Sequence, residues 1–144
     1  MYESQIEIDA PPDAVWAVLT DLPRWPAWRS AIARTEGTVE PGSRIKVWVE
    51  ANPGRAFPLT VTELTRSRRM VLQGGMPLGL FRGVRTYDLD AVGPGRTHIT
   101  MREVYSGPLA RLITRSIPDL QPSFDTFVQG LKDEAEAAAA TDQR

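Results

Sequence analysis

The spacing of apolar residues near the carboxyl end of the chain predicts one long amphipathic helix. Between residues 117 and 139, after breaks at Pro118 and Pro122, apolar side chains recur mostly at intervals of three and four, which is the period of one helical face. These side chains are Leu120, Phe124, Phe127, Val128, Leu131 and Ala135. The opposite face carries acidic, amide and lysine side chains, so we expect this helix to bury one face against the rest of the protein.

Most of the chain before this helix alternates apolar with polar residues, which is the period of half-buried strands. The alternating segments lie at residues 2–8, 32–39, 45–49, 57–64, 70–72, 81–91 and 97–105. Pro11 and Pro12 suit the first turn of a helix, and Asp21 is placed to cap a second, shorter helix through residues 23–28. The pattern therefore predicts an α+β protein in which one long helix covers a sheet of about seven strands.

The strand pattern also predicts which side chains face the core. In residues 45–49, Val47 faces inward and Trp48 therefore faces outward. Trp48 then covers the convex face of the sheet, is turned inward by a bulge, or forms a dimer contact. In the next strand, Val61 faces inward and Leu64 faces the other side.

Residues 92–96, Val-Gly-Pro-Gly-Arg, predict a tight turn between two long alternating segments. If residue 92 pairs with residue 96, the opposed pairs on one face are Gly83 with Tyr105, Arg85 with Glu103, Tyr87 with Met101, and Leu89 with Ile99. This face is the inner one, because the other face holds mostly charged and polar residues, including His98. A slip of one residue in the pairing would move every one of these side chains to the opposite face.

Arg85 and Glu103 are therefore predicted to form an opposed pair on the core side of the sheet. A charge on this side is costly unless it is paired, and a guanidinium and a carboxylate can pair in bidentate geometry. Pairing alone accounts for their presence, but such a pair stabilises little compared with apolar residues of the same size. The functional alternative is a polar anchor inside an apolar cavity.

Residues 74–80, Gly-Gly-Met-Pro-Leu-Gly-Leu, predict a flexible loop that is also apolar. An apolar loop between two strands is a candidate lid or pocket rim, and the alternative is a loop packed on its own core. It is not a phosphate-binding loop, because no lysine followed by serine or threonine comes after the glycines.

Composition narrows the classes of function. The net charge is −1 with 24% charged residues, which gives no overall electrostatic footprint for nucleic acid or anionic lipid. The chain has no cysteine and one histidine, so disulfides, thiolate chemistry and a metal site built on these residues are not expected. No apolar run approaches ~18 residues and the amino end lacks a signal-peptide core. We therefore expect a soluble cytoplasmic protein without stable membrane insertion.

Several stretches resemble the SRPBCC superfamily, which includes the START and Bet v 1-like proteins. These stretches are residues 15–21 (VWAVLTD), 25–28 (WPAW), 41–44 (PGSR), 80–83 (LFRG) and 102–109 (REVYSGPL). Within the superfamily the chain is similar to the bacterial polyketide cyclase/dehydrase-like group. The resemblance covers essentially the whole chain, so residues 1–144 are expected to be a single domain of this type.

The resemblance implies a helix-grip fold, in which a strongly curved antiparallel sheet wraps around the carboxyl-terminal helix and encloses a deep hydrophobic cavity. Two short helices follow the first strand. Relatives bind sterols, lipids, polyketides, quinones or plant hormones, and a minority cyclise or aromatise polyketides. Glu103 and Tyr105 match the family's Glu-x-aromatic pattern near the end of the last strand. Other members often have histidine at the positions of Arg85 and Met101, so a histidine-based acid–base mechanism is not expected.

Three functions remain open at this point. The first is binding of a hydrophobic small molecule, such as a lipid, quinone or polyketide, for transport or sequestration and without a cofactor. The second is a polyketide cyclase, aromatase or dehydratase with Arg85, Glu103 and Tyr105 as catalytic candidates, although a glutamate held ionised by an arginine is a weak base. The third is a protein-interaction module, monomeric or homodimeric, that uses Trp48 or residues 74–80. The predicted ligand-binding residues are Val47, Leu59, Val61, Leu72, Met76, Phe81, Arg85, Tyr87, Met101, Glu103, Tyr105, Leu120, Phe124 and Val128.

Overall fold

A computed structural model describes residues 1–116 and 119–142. Its strands are β1 (Tyr2–Ile8), β2 (Ile32–Glu36), β3 (Arg44–Val49), β4 (Phe57–Thr65), β5 (Arg69–Met76), β6 (Phe81–Gly93) and β7 (Arg96–Ser106). Its helices are α1 (Pro12–Thr20), a 3-10 helix (Leu22–Ala27), a 3-10 turn (Pro77–Gly79), α2 (Ala110–Ser116) and α3 (Gln121–Asp142). The first two residues of the predicted long helical segment, Ile117 and Pro118, lie outside the described residues.

The seven strands form one antiparallel sheet in the order β1-β7-β6-β5-β4-β3-β2. The predicted register of the β6–β7 hairpin is confirmed, since Arg85 is opposite Glu103 and Tyr87 is opposite Met101. Only the turn differs, because a bulge makes Gly93 and not Val92 the partner of Arg96. The extra residue is absorbed at the turn, so the faces of both strands are unchanged.

The long helix α3 packs against β1, α1 and β7, and it buries the face that its periodicity predicts. Phe124, Phe127, Val128, Leu131 and Ala135 are all at most 3% exposed. The remaining core comes from α1, the 3-10 helix and the inner face of the sheet. This arrangement of a curled antiparallel sheet around a carboxyl-terminal helix is the helix-grip fold.

A bulge in β4 overturns the prediction for Leu64. The pairing of β4 with β5 shifts between Val61 and Glu63. Side chains after this bulge therefore lie on the face opposite to the one that simple alternation predicts. Val61 still faces the core, but Leu64 lies opposite the buried Met70 and packs against the core instead of facing outward. The alternation of apolar and polar residues does not reveal where a single extra residue is inserted into a strand. Asp21 likewise occupies the predicted cap position of the 3-10 helix, but its side chain makes no capping hydrogen bond.

The prediction of a loop at residues 74–80 is wrong over its first half. Gly74, Gly75 and Met76 pair with Gly83, Arg82 and Phe81 as the end of β5. The remaining residues form the 3-10 turn, and Leu78 adopts a left-handed backbone with φ of 63°. Residues 74–80 are therefore the tip of a hairpin.

Trp48 lies on the outer face of the sheet, as predicted. The guanidinium of Arg34, on the neighbouring strand β2, lies 4.5 Å from the centre of its ring. Packing under this cation covers part of the indole.

Candidate functional site

The site is organised around an ion pair on the inner face of the β6–β7 hairpin. Arg85 donates from Nη2 to Oε2 of Glu103 at 2.9 Å, and their side chains are only 14% and 11% exposed. The helix α3 closes over this pair, because the Arg85 guanidinium lies 4.8 Å from the centre of the Phe124 ring. The pairing of β6 with β7 therefore places the two charged side chains next to each other, and α3 shields them from water.

Tyr105 adds a second donor to the same carboxylate. Its hydroxyl donates to Oε2 of Glu103 at 3.1 Å, and its ring stacks on Phe81 with 5.4 Å between ring centres. Opposite Tyr105 on β6 is Gly83, where a Cβ atom would lie 3.3 Å from the tyrosine ring and 3.5 Å from Oε1 of Glu103. The lack of a side chain at Gly83 gives the tyrosine room to lie against the strand.

Two polar atoms of the site lack a hydrogen-bond partner within the described residues. They are Nε of Arg85 and the hydroxyl oxygen of Tyr87, and both are buried. Each such atom costs about 1–3 kcal/mol of desolvation that no hydrogen bond recovers. The Nε–H group can only donate, whereas the Tyr87 hydroxyl can donate or accept. The two groups interact with each other, but neither atom has a hydrogen bond of good geometry within the described residues.

A cavity of about 30 Å³ adjoins Arg85. Its wall is mostly apolar and is formed by Ser30, Ala31, Ile32, Val49, Arg85, Met101, Leu120, Ser123, Phe124 and Phe127. This volume is enough for about one water molecule. Side chains of α3 therefore fill most of the space between helix and sheet.

The predicted ligand-binding residues fall into three groups in the structure. Val47, Val61, Leu72, Tyr87, Met101, Glu103, Phe124 and Val128 are buried, whereas Leu59, Phe81, Arg85, Tyr105 and Leu120 are partly buried. Met76 differs from all of them, because it is 44% exposed at the hairpin tip. Of this predicted set, Arg85, Met101, Leu120 and Phe124 line the small cavity. Whether they hold a ligand stays a prediction.

Sequence reasoning missed part of the cavity wall. Ser30, Ala31 and Ile32 lie in or beside the connection between the 3-10 helix and β2, and they face Ser123 and Phe127 of α3. No periodicity marks this connection, although Phe127 was correctly placed on the buried helical face. Only the tertiary structure brings this segment against Arg85.

Burial and the ion pair together determine the charge states of the site. Burial is the largest single influence on the Arg85 guanidinium and lowers its pKa, but the charge of Glu103 together with the other interactions with Glu103 and Tyr87 outweighs burial and raises this pKa above the ordinary value. Burial raises the pKa of Tyr87, against the opposing charge of Arg85. The pKa of Tyr105 is raised mainly by burial and to a smaller extent by the Glu103 carboxylate. At neutral pH both tyrosines are therefore protonated and Arg85 is charged.

A larger groove, of about 490 Å³, lies on the outer face of the sheet. It is lined by side chains such as Glu3, Arg69, Asp88 and Arg102, which form ion pairs with each other or with neighbours and are substantially exposed. Such pairs are solvated and contribute little. The groove therefore lacks the buried polar groups that distinguish the inner site.

Neither a metal site nor a membrane-spanning helix is found in the part of the chain that the structure describes. No three His, Cys, Asp or Glu side chains there are placed to hold a metal ion. None of the helices in residues 1–116 and 119–142 is long and apolar enough to cross a membrane.

Residues 2–136 match the protein family described as polyketide cyclase / dehydrase and lipid transport. The chain belongs to this family. The match spans β1 to α3 and so includes the ion pair, Tyr105 and the cavity wall. No curated protein matches the chain by sequence.

Solved structures with the same fold include members of biosynthetic pathways. The Zhui aromatase/cyclase from Streptomyces sp. R1128 has a TM-score of 0.67 and 16% identity over 93% of this chain and 92% of that one. A hypothetical protein from Helicobacter pylori has a TM-score of 0.74 and 14% identity over 93% and 86% of the two chains. The di-domain ARO/CYC BexL from the BE-7585A biosynthetic pathway has a TM-score of 0.69 and 18% identity over 93% of this chain. The match covers 45% of BexL, so this chain spans about half of that di-domain protein.

Proposed function

We propose that this protein binds a hydrophobic small molecule between α3 and the sheet and holds the polar end of that molecule at Arg85 and Tyr87. The observation that carries the proposal is the pair of buried polar atoms, Arg85 Nε and the Tyr87 hydroxyl oxygen, which have no well-formed hydrogen bond among the described residues. An acceptor oxygen of a ligand would satisfy both donors. Membership of a family whose description includes polyketide chemistry and lipid transport supports this proposal.

The chemistry of the donors favours a carbonyl group at the polar end of the ligand. Arg85 and Glu103 neutralise each other, so a ligand carboxylate would bring a net negative charge into the interior, which is costly. A ketone or quinone oxygen accepts the same hydrogen bonds without that cost. On this proposal the ligand is an apolar molecule with a neutral carbonyl, such as a quinone or a polyketide.

Binding requires α3 side chains to move. Ligand pockets are typically roughly 300–1,000 Å³, whereas the cavity beside Arg85 is about 30 Å³. We infer that the ligand enters between the first turn of α3 and the connection at Ser30 to Ile32, where Leu120 and Ser123 are only partly buried. Displacing Leu120 and Phe124 would open the space above Arg85 and leave the predicted apolar side chains as its lining.

The test compares Arg85→Gln with wild type in titrations with a short-chain naphthoquinone, followed by tryptophan fluorescence. Losing a hydrogen bond from a charged donor should weaken binding by about tenfold to a hundredfold. Tyr87→Phe, which leaves the ion pair intact, should weaken it by a smaller factor. Arg82→Gln is the matched control, because Arg82 is on the same strand but exposed on the other face.

An unchanged dissociation constant in both Arg85→Gln and Tyr87→Phe would remove these donors from the site. Circular dichroism spectra of each variant check that the fold is intact. Failure of wild type to bind any apolar carbonyl compound, including an aromatic polyketide, would contradict the proposal as a whole.

Polyketide cyclisation is the second candidate, and the same two donors favour it. A substrate oxygen that accepts from both groups would be stabilised as an enolate, and the similar structures include an aromatase/cyclase and a di-domain ARO/CYC protein. The protonation states argue against a general acid or base here, because the pKa values of Arg85, Tyr87 and Tyr105 are all raised away from neutrality. Conversion of a poly-β-keto substrate by the purified protein would decide between binding and catalysis.

A further inference from the structure

One end of the molecule exposes large apolar side chains. Met76, Leu78 and Leu80 at the β5–β6 hairpin tip are 44%, 95% and 37% exposed, and Leu112 of α2 is 67% exposed. We call these four residues the Leu78 surface. Single exposed apolar residues are ordinary, but a cluster of them marks an interaction site.

Backbone contacts join the two parts of the Leu78 surface. The amide of Leu109, just before α2, donates to the carbonyl oxygen of Leu80 at 2.9 Å. Gly107 approaches the tip so closely that a Cβ atom there would lie 2.7 Å from the same oxygen. The hairpin tip and the start of α2 therefore form one continuous end of the molecule.

The conformation of Leu78 is unfavourable for a leucine. Its φ of 63° is in the left-handed region, which costs a residue with a Cβ atom roughly 1 kcal/mol. Its side chain contributes little to the core, since it is 95% exposed. A leucine at this position is therefore not explained by folding.

The two segments that carry the Leu78 surface are basic although the whole chain is slightly negative. Residues 74–83 and 107–116 contain Arg82, Arg111 and Arg115 and no aspartate or glutamate. The other residues carry 17 − 3 = 14 basic and 18 − 0 = 18 acidic side chains. All three arginines are exposed, and Arg111 and Arg115 flank Leu112 on α2. The overall net charge of −1 therefore does not reveal that these two segments are basic.

We propose that the Leu78 surface docks reversibly on an anionic lipid bilayer. Three of the four apolar side chains lie at a hairpin tip, which suits insertion among acyl chains better than contact with the flat surface of a protein partner. The flanking arginines would bind lipid phosphates while their stems remain in the interface. Three arginines and a few apolar side chains give weak binding without a spanning segment. The proposal does not depend on a ligand in the interior.

The test measures flotation of the full chain with vesicles of phosphatidylcholine alone or mixed with phosphatidylglycerol. Wild type should float with the anionic vesicles, bind neutral ones much more weakly, and be released by added salt. Leu78→Asn should abolish most of the binding without harming the fold, because asparagine tolerates a left-handed backbone. The pair Arg111→Gln/Arg115→Gln should weaken binding roughly thirtyfold.

The matched control is Arg66→Gln/Arg68→Gln, which removes two exposed arginines from the β4–β5 turn at the opposite end of β5. This variant should bind the anionic vesicles like wild type. The proposal is overturned if wild type ignores anionic vesicles, or if the control pair weakens binding as much as the α2 pair does. It is also overturned if Leu78→Asn binds unchanged. Because no variant touches the inner site, a negative result leaves the interior ligand proposal unaffected.

Discussion

Arg85 and Glu103 stabilise each other at a position where neither charge would be stable alone. Both side chains are largely buried, and Phe124 lies over the guanidinium. Breaking a buried pair leaves one uncompensated charge, whereas replacing both partners by apolar residues is often neutral or stabilising. A pair kept at such a position is better explained by a ligand than by stability.

We expect Glu103→Leu to lower the free energy of unfolding by about 3 kcal/mol, because Arg85 is left charged and unpaired. The double variant Arg85→Met/Glu103→Leu should recover to within about 1 kcal/mol of wild type or exceed it. Urea denaturation of wild type and both variants measures these free energies of unfolding. The control is Glu36→Leu, which breaks the exposed ion pair between Arg34 Nη2 and Glu36 Oε1, 2.6 Å apart. This variant should lower the free energy of unfolding by less than about 1 kcal/mol. A double variant as unstable as the single one would mean that the pair is needed for the fold.

At the scale of secondary-structure elements, the close approach of α3 to the segment before β2 determines how little space remains beside Arg85. Gly130 is buried in the middle of α3, and a Cβ atom there would lie 1.9 Å from the carbonyl oxygen of Arg29. The next residues, Ser30 to Ile32, form one wall of the cavity. A glycine therefore allows the helix to press against this wall.

Gly130→Ala should destabilise the protein by about 3 kcal/mol, because overpacking outweighs the roughly 1 kcal/mol that alanine gains in helix propensity. The shift of α3 should also enlarge the cavity. Thermal and urea unfolding measure the loss of stability. Gly54→Ala is the control, since a Cβ atom at that glycine meets nothing within 4 Å, and it should change stability by less than about 0.5 kcal/mol. A stable Gly130→Ala protein would contradict the close approach of α3.

For the whole molecule, the buried Tyr87 and the partly buried Tyr105 link stability to alkaline pH. The pKa values of Tyr87 and Tyr105 are raised above their ordinary value of 10.0, chiefly by burial. Below about pH 10 both states of the protein keep these protons, so the tyrosines add no pH dependence there. Above it the unfolded chain loses protons first, which favours unfolding. The stabilisation is therefore lost as the pH rises from about 10 towards the pKa values of the folded state.

We expect the free energy of unfolding to fall steadily above about pH 10 in wild type. In Tyr87→Phe the fall should be shallower by about 1 kcal/mol for each pH unit, because one fully buried group no longer titrates. Urea denaturation at a series of pH values gives both slopes. Equal slopes in the two proteins would show that Tyr87 ionises as readily in the folded state as in the unfolded chain.

The long helix and the β6–β7 register follow from local periods of the sequence, and the family resemblance follows from short sequence stretches. The burial of Phe124 and Leu131 follows from the helical period alone. The pairing of Arg85 with Glu103 follows because two strongly alternating strands meet at a short turn, where one register buries the apolar face. Such features depend on residues close in sequence, so they can be predicted without coordinates.

Contacts between distant segments determine the inward turn of Leu64, the strand character of Gly74 to Met76 and the size of the cavity. A bulge and a strand extension depend on hydrogen bonds with a partner strand, which alternation along one segment does not record. The cavity depends on how far α3 approaches Arg29, and the unpartnered Nε of Arg85 depends on what surrounds it in three dimensions. These outcomes result from packing between segments that are distant in the chain, and no local pattern encodes the distances between them.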